Sequence, residues 1–311
     1  MSQSRIIVIG SSNTDMVVRT EHFPQPGETV LGNEFLMNPG GKGANQAVAA
    51  ARLGGNVVFI CKIGDDLFGE SSIKLLKEEG ININHVLIDN QLPSGVALIT
   101  IDKKGENNIV VAPGANAALS VENIKDLDTL ISTDTLLLMQ LEIPLNTVKQ
   151  VVLDAYEKGA KIVLNPAPAC ELPEEIYQKL HLITPNEKEA SMLTGIQVKD
   201  INSAKEAAEI LIAKGVKNVV ITLGAKGALA IFNGECLFTE AKVVNAIDTT
   251  AAGDVFNGAL VVALNEGKHI KEALEFAVEA SAISVTRLGA QSSAPYRNEL
   301  ESYQQKPLNQ L

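Results

Sequence analysis

The sequence predicts an α/β fold: a three-layer, doubly wound, mostly parallel sheet with helices on both faces, plus a small β-sheet acting as a lid. Three observations carry this. The 311 residues are 46% hydrophobic yet only 4% aromatic, with no Trp. The interior must therefore be Ala, Val, Ile and Leu, which suits parallel strands covered by helices. From about Leu119 onward, strand-like and helix-like stretches alternate regularly, the pattern of βα units. Before that, two stretches at about 14–38 and 93–113 alternate in short pieces broken by Pro and Gly, as strands and turns of an accessory sheet do. The length suits one large α/β domain with an appendage. The reading is a single domain over 1–311 with the lid sheet inserted in it.

Taken in order, Ile6 to Gly10 is a continuous apolar run and predicts a buried strand. Ser11 to Asp15 follows as a polar loop at a strand's carboxyl end, where open α/β sheets bind ligands. Asn13 and Asp15 are candidates for hydrogen bonds to a polar substrate; turn chemistry is the alternative. Met16 to Asn38 contains Pro24, Pro26 and Gly27 and does not read as a helix. Pro39-Gly40-Gly41-Lys42-Gly43-Ala44-Asn45-Gln46 then places glycines, which permit close approach to a ligand, at the start of an Ala-rich helix. It is neither a P-loop nor a dinucleotide fingerprint, because the glycine spacing is wrong for both and no Ser or Thr follows Lys42. A flexible turn is the plain reading; Asn45 facing the same mouth favours recognition of sugar hydroxyls.

Val57 to Ile63 predicts a strand, and Gly64 to Gly69 a loop into a helix ending near Glu79. Asp65 and Asp66 suit a loop and N-cap better than a metal site. Gly95 to Asp102 and Asn107 to Ala112 predict a hairpin around Lys103 to Glu106, with Ala97, Ile99 and Val111 on one face. Thr135 to Gln140 is a strand with Glu142 just past its end. Helix Leu145 to Lys158, strand Lys161 to Leu164, a rigid turn at Asn165 to Pro168 and a short strand at Leu182 to Thr184 follow. Asn186 and Glu189 open a helix. Helix Ser203 to Lys214, strand Asn218 to Thr222, the Gly-rich turn Leu223-Gly224-Ala225-Lys226-Gly227 and strand Ala228 to Phe232 complete the alternation.

Asn245 to Gly258 organises the rest. A short apolar run turns through small residues into a helix ending near Gly267. The amides of Ala251, Ala252 and Gly253 are unshielded, and free amides at a helix N-terminus attract anions. Asp254 among them is either a first-turn acid complementing the helix dipole or a base that deprotonates a hydroxyl attacking a phosphoryl group. Asn13, Asp15, Glu142, Asn186, Glu189, Thr222 and Asp254 all fall around one predicted mouth, faced by the glycine-rich helix starts at Gly41 and Gly253.

The net charge of −11, from 26 basic and 37 acidic residues, argues against nucleic acid or an anionic membrane as partner. Cys61, Cys170 and Cys236 are odd in number and widely spaced, which suggests a reducing cytoplasm and small buried residues, not a disulfide framework. No signal-peptide pattern or bilayer-length apolar run occurs, so the expected location is cytoplasmic.

Gly40-Gly41-Lys42-Gly43-Ala44-Asn45 and Asp248-Thr249-Thr250-Ala251-Ala252-Gly253-Asp254 resemble the two signatures of the PfkB-type carbohydrate kinases, in the right order and separation. Gly10 to Asp15, Met139 to Glu142, Asn165 to Pro168, Thr184 to Glu187 and Thr286 to Gln291 extend the resemblance over essentially the whole chain. It implies a Rossmann-like fold and ATP-dependent transfer of the γ-phosphoryl group to O5 of D-ribose. Asp254 would be the catalytic base, with Ala251, Ala252 and Gly253 as anion hole. Asn13, Asp15, Gly40, Gly41, Lys42, Gly43, Asn45, Glu142 and Asp254 would surround the sugar. Asn186, Thr222, Leu223, Gly224, Ala225, Lys226, Gly227, Gly253 and Asp254 would surround the nucleotide. Val278 falls where a polar residue near the adenine is expected. Glu189 would place Mg2+ through water. A K+ site would take Asp248, Thr250, Ser284, Arg287, Gly289 and Ser293. The lid sheets would pair two copies into a homodimer. A sugar-binding protein without activity, or a nicotinamide oxidoreductase, are the rival classes; the intact Gly253-Asp254 pair opposes the first and the missing fingerprint the second.

Overall fold

The structure is a computed structural model that describes residues 5–124 and 127–304. The apolar run at the N-terminus forms β1 (Ile6–Ile9), fully buried on both faces. The chain then leaves the core for β2 (Asn13–Arg19) and β3 (Glu34–Gly40), and returns through helix α1 (Lys42–Arg52), β4 (Val57–Gly64), α2 (Leu67–Glu78) and β5 (Asn82–Asp89). It leaves again as the hairpin β6 (Gly95–Ile101) and β7 (Asn107–Ala112). After the short α3 (Leu127–Leu130), the alternation predicted from Leu119 onward appears as β8 (Leu136–Met139), α4 (Leu145–Glu157), β9 (Lys161–Leu164), α5 (Glu174–Tyr177), β10 (Leu182–Ile183), α6 (Glu187–Thr194), α7 (Ile201–Ala213) and β11 (Val219–Thr222). The chain closes with the antiparallel β12 (Gly227–Phe232) and β13 (Glu235–Glu240), then α8 (Ala252–Asn265), α9 (Ile270–Ser284) and α10 (Arg297–Gln304).

Nine strands form one sheet in the order β13-β12-β11-β10-β9-β8-β1-β4-β5. All neighbours are parallel except at the β11–β12 and β12–β13 edge. Alternate strand residues feed two separate cores. Ile6, Val8, Phe59 and Leu138 pack with α1, α8 and α9; Ile7, Ile9, Leu137 and Ile162 pack with α4, α6 and α7. Those are the three layers that the aliphatic composition calls for. Successive strands run outward from β1 in one direction and from β8 in the other, so the loops after these two neighbours diverge. Such a switch point opens a crevice at the carboxyl ends of the strands.

The second sheet has the order β3-β2-β6-β7. Its strands come from the two predicted stretches, but β2 begins at Asn13 and β3 ends at Gly40. The polar loop after β1 is therefore shorter than expected, and Asn13 and Asp15 sit on the first residues of a strand, where ladder pairing with Gly40 and Asn38 holds them. Register puts Ala97, Ile99 and Val111 on one face, together with Asp15. Asp66 caps α2 by accepting from Phe68 and Gly69 amides, as its N-cap reading requires. Strands β5 and β13 and helices α9 and α10 carried too little signal to be placed from the sequence. β5 mixes Asn, His and Asp into its run, and α9 exposes only a narrow charged strip at Lys271, Glu272 and Glu275.

Candidate functional site

At the switch point α1 starts directly above the loop after β1. Gly41, its N-cap, has φ 88° and ψ 128°, a conformation that L side chains rarely adopt. A Cβ there would strike the backbone of Ser12 and Asn13, and one at Gly43 the backbone of Gly10 and Ser11. The glycines thus let the helix begin in backbone contact with the loop, fixed by Ala44 N donating to Ser11 O at 2.8 Å. Glu142, just past β8, accepts from Ser11 Oγ at 2.5 Å and Lys42 N at 3.0 Å, tying both loops to the helix start. Asn116 holds the other side: it donates to Asn13 Oδ1 at 2.8 Å and accepts from Ser12 N at 2.9 Å.

Asp15 points to the same mouth. Burial, then the charges of Glu142 and Asp254, push its carboxyl up to about 7. Burial would lower the Lys42 ammonium, but Asp254, Glu142, Glu189 and Asp15 outweigh it and hold its pKa above the ordinary value. One lysine among four carboxylates is a charge balance that a neutral polyol would disturb little.

Asp254 lies in the first turn of α8 and is 6% exposed. Asn45 Nδ2 donates to its Oδ2 and Gln46 Nε2 to its Oδ1, both at 2.9 Å. The two helix starts singled out in the sequence therefore meet at this carboxylate. Burial raises its pKa, against the pull of Lys42 and the two amide donors. Ala251 caps the helix in the left-handed region at φ 58°, a strained conformation for a residue with a Cβ. Among the described residues no acceptor is found for the amides of Ala251, Gly253 and Asp254, while Ala252 N reaches Thr249 O at 3.3 Å. A Cβ on Gly253 would meet nothing within 4 Å, so the space beside this first turn is open.

The predicted nucleotide residues gather at the ends of β10 and β11. Asn186 bridges to Thr222 and caps α6, its Oδ1 accepting from Lys188 and Glu189 amides. Glu189 completes that capping box. Gly224, Ala225 and Lys226 form an exposed turn, whereas Leu223 turns its side chain into the core. Lys226 Nζ is engaged by Lys199 O at 2.6 Å and Glu187 Oε1 at 3.1 Å. Gly227 has φ 119° and backs onto Thr239 O, which gives it a packing reason. Val278 is buried in the core beneath α8.

Of the predicted cation residues, Asp248 and Gly289 meet across two loops, and the backbone and hydroxyl groups of the others bond within their own segments. Asp248 accepts from Thr250 N and Gly289 N, both at 2.9 Å, joining the loop before α8 to that after α9. Ser284 O accepts from Arg287 N at 3.0 Å, and the buried Ser293 Oγ donates to Ala290 O at 2.7 Å. This all-oxygen set suits a hard monovalent cation, not a transition metal. No group of three or more His, Cys, Asp or Glu placed to ligate a metal directly exists among the described residues.

Residues 3–297 match the family described as pfkB family carbohydrate kinase. The chain belongs to the PfkB family. It is 47% identical over 294 residues to ribokinase from Haemophilus influenzae, covering 94% of this chain and 96% of that one. Its fold is ribokinase-like. The crystal structure of a ribokinase from Thermotoga maritima superposes with a TM-score of 0.88 at 43% identity, covering 97% and 99% of the two chains. Arabidopsis thaliana ribokinase, in complex with ribose and ATP, gives 0.89 at 29% identity, covering 98% and 99%.

Sequence reasoning about this PfkB member missed the polar groups beneath the mouth. Gln46, Gln140, Asn165, Thr184 and Asn257 are buried and bonded in series behind Asp254. Gln140, Asn165 and Thr184 directly follow strands β8, β9 and β10, and there one signal existed: amide and hydroxyl side chains right after apolar runs, where a plain core would place none. Gln46 and Asn257 lie inside α1 and α8 and carried no such signal.

Proposed function

We propose that this chain transfers the γ-phosphoryl group of ATP to O5 of D-ribose, giving D-ribose 5-phosphate and ADP. One observation carries the reading: a buried carboxylate, Asp254, held on both oxygens by amide donors beside helix amides that have no other acceptor. Family membership supplies the kinase chemistry, and the relatives named ribokinase supply the sugar.

Asp254 takes the proton of the attacking hydroxyl as the O5–phosphorus bond forms. The bond from the γ-phosphorus to the bridging oxygen breaks, and ADP leaves with the electron pair. Ala251, Ala252 and Gly253 form the anion hole for charge on the transferring group. Ala252 joins it by exchanging its long bond to Thr249 for the phosphoryl oxygen. Asn13, Asp15, Lys42, Asn45 and Glu142 hold sugar hydroxyls, with Gly40, Gly41 and Gly43 leaving the backbone accessible. Asn186, Thr222 and the turn 223–227 contact the nucleotide. Mg2+ would be held by phosphate and water with Glu189 behind the water, and would offset phosphate charge. K+ would be held by Asp248, Ser293 and the carbonyls of Thr250, Ser284, Arg287 and Gly289, and would steady the loop that carries the anion hole.

Residues 1–311 act as one domain, with the small sheet as a lid over the sugar. Its outer face carries Phe35, Met37, Leu98 and Val110, each more than half exposed and in register on one side. A second copy would cover that face, since apolar patches on sheets mark interfaces. Three free cysteines fit work in the cytoplasm, and no described helix is long and apolar enough to cross a membrane.

An ATP-coupled assay over ribose, deoxyribose, fructose and adenosine, with and without K+, tests the whole. Ribose is expected to be the preferred acceptor and K+ to raise turnover. Stronger turnover of another acceptor would sink the ribose reading.

A further inference from the structure

Gln46 is fully buried on α1, and both polar atoms of its amide are partnered. Nε2 donates to Asp254 Oδ1 at 2.9 Å and to Asn165 Oδ1 at 3.0 Å, while Oε1 accepts from Gln140 Nε2 at 2.5 Å. The reversed amide would set an oxygen against a carboxylate, so only one orientation is stable. The chain continues: Asn165 Nδ2 donates to Thr184 O at 3.0 Å, Thr184 Oγ1 to Asn257 Oδ1 at 2.6 Å, and Asn257 Nδ2 to Gly253 O at 2.8 Å. It begins on one sheet end and finishes in the turn that carries the anion hole. Asn45 differs. Its Nδ2 also reaches Asp254, but its Oδ1 is buried without a partner. A half-satisfied amide gains by re-pairing when a polyol arrives; a fully satisfied one does not.

We propose that Gln46 is the positioning residue of the site, fixing the orientation in which Asp254 receives a sugar hydroxyl and coupling it through Asn165, Thr184 and Asn257 to Gly253, whereas Asn45 is the amide that turns to the substrate. This rests on reading Asp254 as the base. The other charged groups facing Asp254 are Lys42, Glu142, Asp15 and Glu189.

The test is Gln46→Met, which keeps length and removes the donor. Turnover is expected to fall roughly 10²-fold, KM for sugar and ATP to stay within about threefold, and the acid limb of the turnover–pH profile to move up by roughly one unit. Gln140→Leu, which frees the amide that orients Gln46, is expected to do the same to a smaller degree, while Asn45→Ala raises the sugar KM instead. Lowered thermal stability with turnover per folded molecule and the acid limb unchanged would mean a merely structural role and overturn the proposal. Gln46→Glu, which keeps size and polarity if the Met variant fails to fold, puts an oxygen against Asp254 and is expected to move the limb further. A readout that needs no turnover separates this from the function reading. The carboxyl-carbon titration of Asp254 in 13C-aspartate-labelled protein is expected to shift upward in Gln46→Met; an unmoved midpoint refutes the positioning role whichever sugar is phosphorylated.

Discussion

Two glycine-rich helix starts meet at one carboxylate, and they use glycine for opposite reasons. At α1 the space is full: Gly41 needs its positive φ and Gly43 presses on Gly10 and Ser11. At α8 the space is empty: Gly253 has ordinary helical geometry and nothing within 4 Å of where a Cβ would stand. The first set of glycines is explained by the protein itself. The second has no such packing reason, and on the proposed function the open space and three amides without another acceptor among the described residues would receive the transferring phosphoryl group. Packing demand accounts for the first helix start; the proposed reaction would account for the second.

The sharpest way to test that contrast is at the shared carboxylate. Asp254→Asn keeps size and one of the two amide contacts, since its nitrogen cannot accept from the other, and removes the base. Turnover is expected to fall by roughly 10³-fold or more while ribose affinity, read by calorimetry, changes by no more than about threefold. An Asn variant that turns over at the wild-type rate would make Asp254 a first-turn acid complementing the helix dipole and nothing else.

The contrast breaks next at the glycines. Gly41→Ala should cost about 2–3 kcal/mol in urea denaturation, from strained φ and a backbone clash. Gly253→Ala should leave stability unchanged or raise it by up to about 1 kcal/mol, as Ala does in a helix. Its turnover should nevertheless fall by about 10²-fold, because the methyl enters the anion space. Equal stability losses in the two variants would erase the distinction.

The sequence made most of this legible where one residue type answers to one physical demand. Aliphatic runs gave the parallel strands, Gly-Gly-Lys-Gly and Ala-Ala-Gly-Asp gave the two helix starts, and Asp66 gave its cap. The neighbourhood of Asp15 was harder, because whether Ser11 to Asp15 is loop or strand depends on pairing with Gly40 and Gly95, distant in the chain. Gln46 was invisible for a related reason. Its neighbour Asn45 and it are both plain amides in sequence, and only three-dimensional bonding shows that one is saturated and the other is not. β13 was missed because its Cys and Glu break the alternation that marks a half-buried strand, and α9 was left unplaced although Lys271, Glu272 and Glu275 fall at helical spacing on its exposed side.

The smallest expected effect compares two of the three raised carboxylates, Asp15 and Asp254. Burial lifts both, but amide donors clamp Asp254 and, among the described residues, none clamps Asp15, whose pKa stands at about 7 against 3.8 for the free side chain. The folded state thus holds a proton that the unfolded chain releases. Stability from this group is complete below pH 3.8 and is lost as pH rises through 7, since the folded state binds more protons across that window. Asp15→Asn removes the titration without removing the bulk. The melting temperature of the wild type is expected to fall relative to the variant between pH 5 and 8, ending roughly 2–4 °C lower at the alkaline end. A constant difference across that range would mean that Asp15 is already ionised in the free chain, with Lys42 as its partner. Ribose affinity across the same range then reports which form the sugar meets, because the neutral acid donates a hydrogen bond and the carboxylate only accepts.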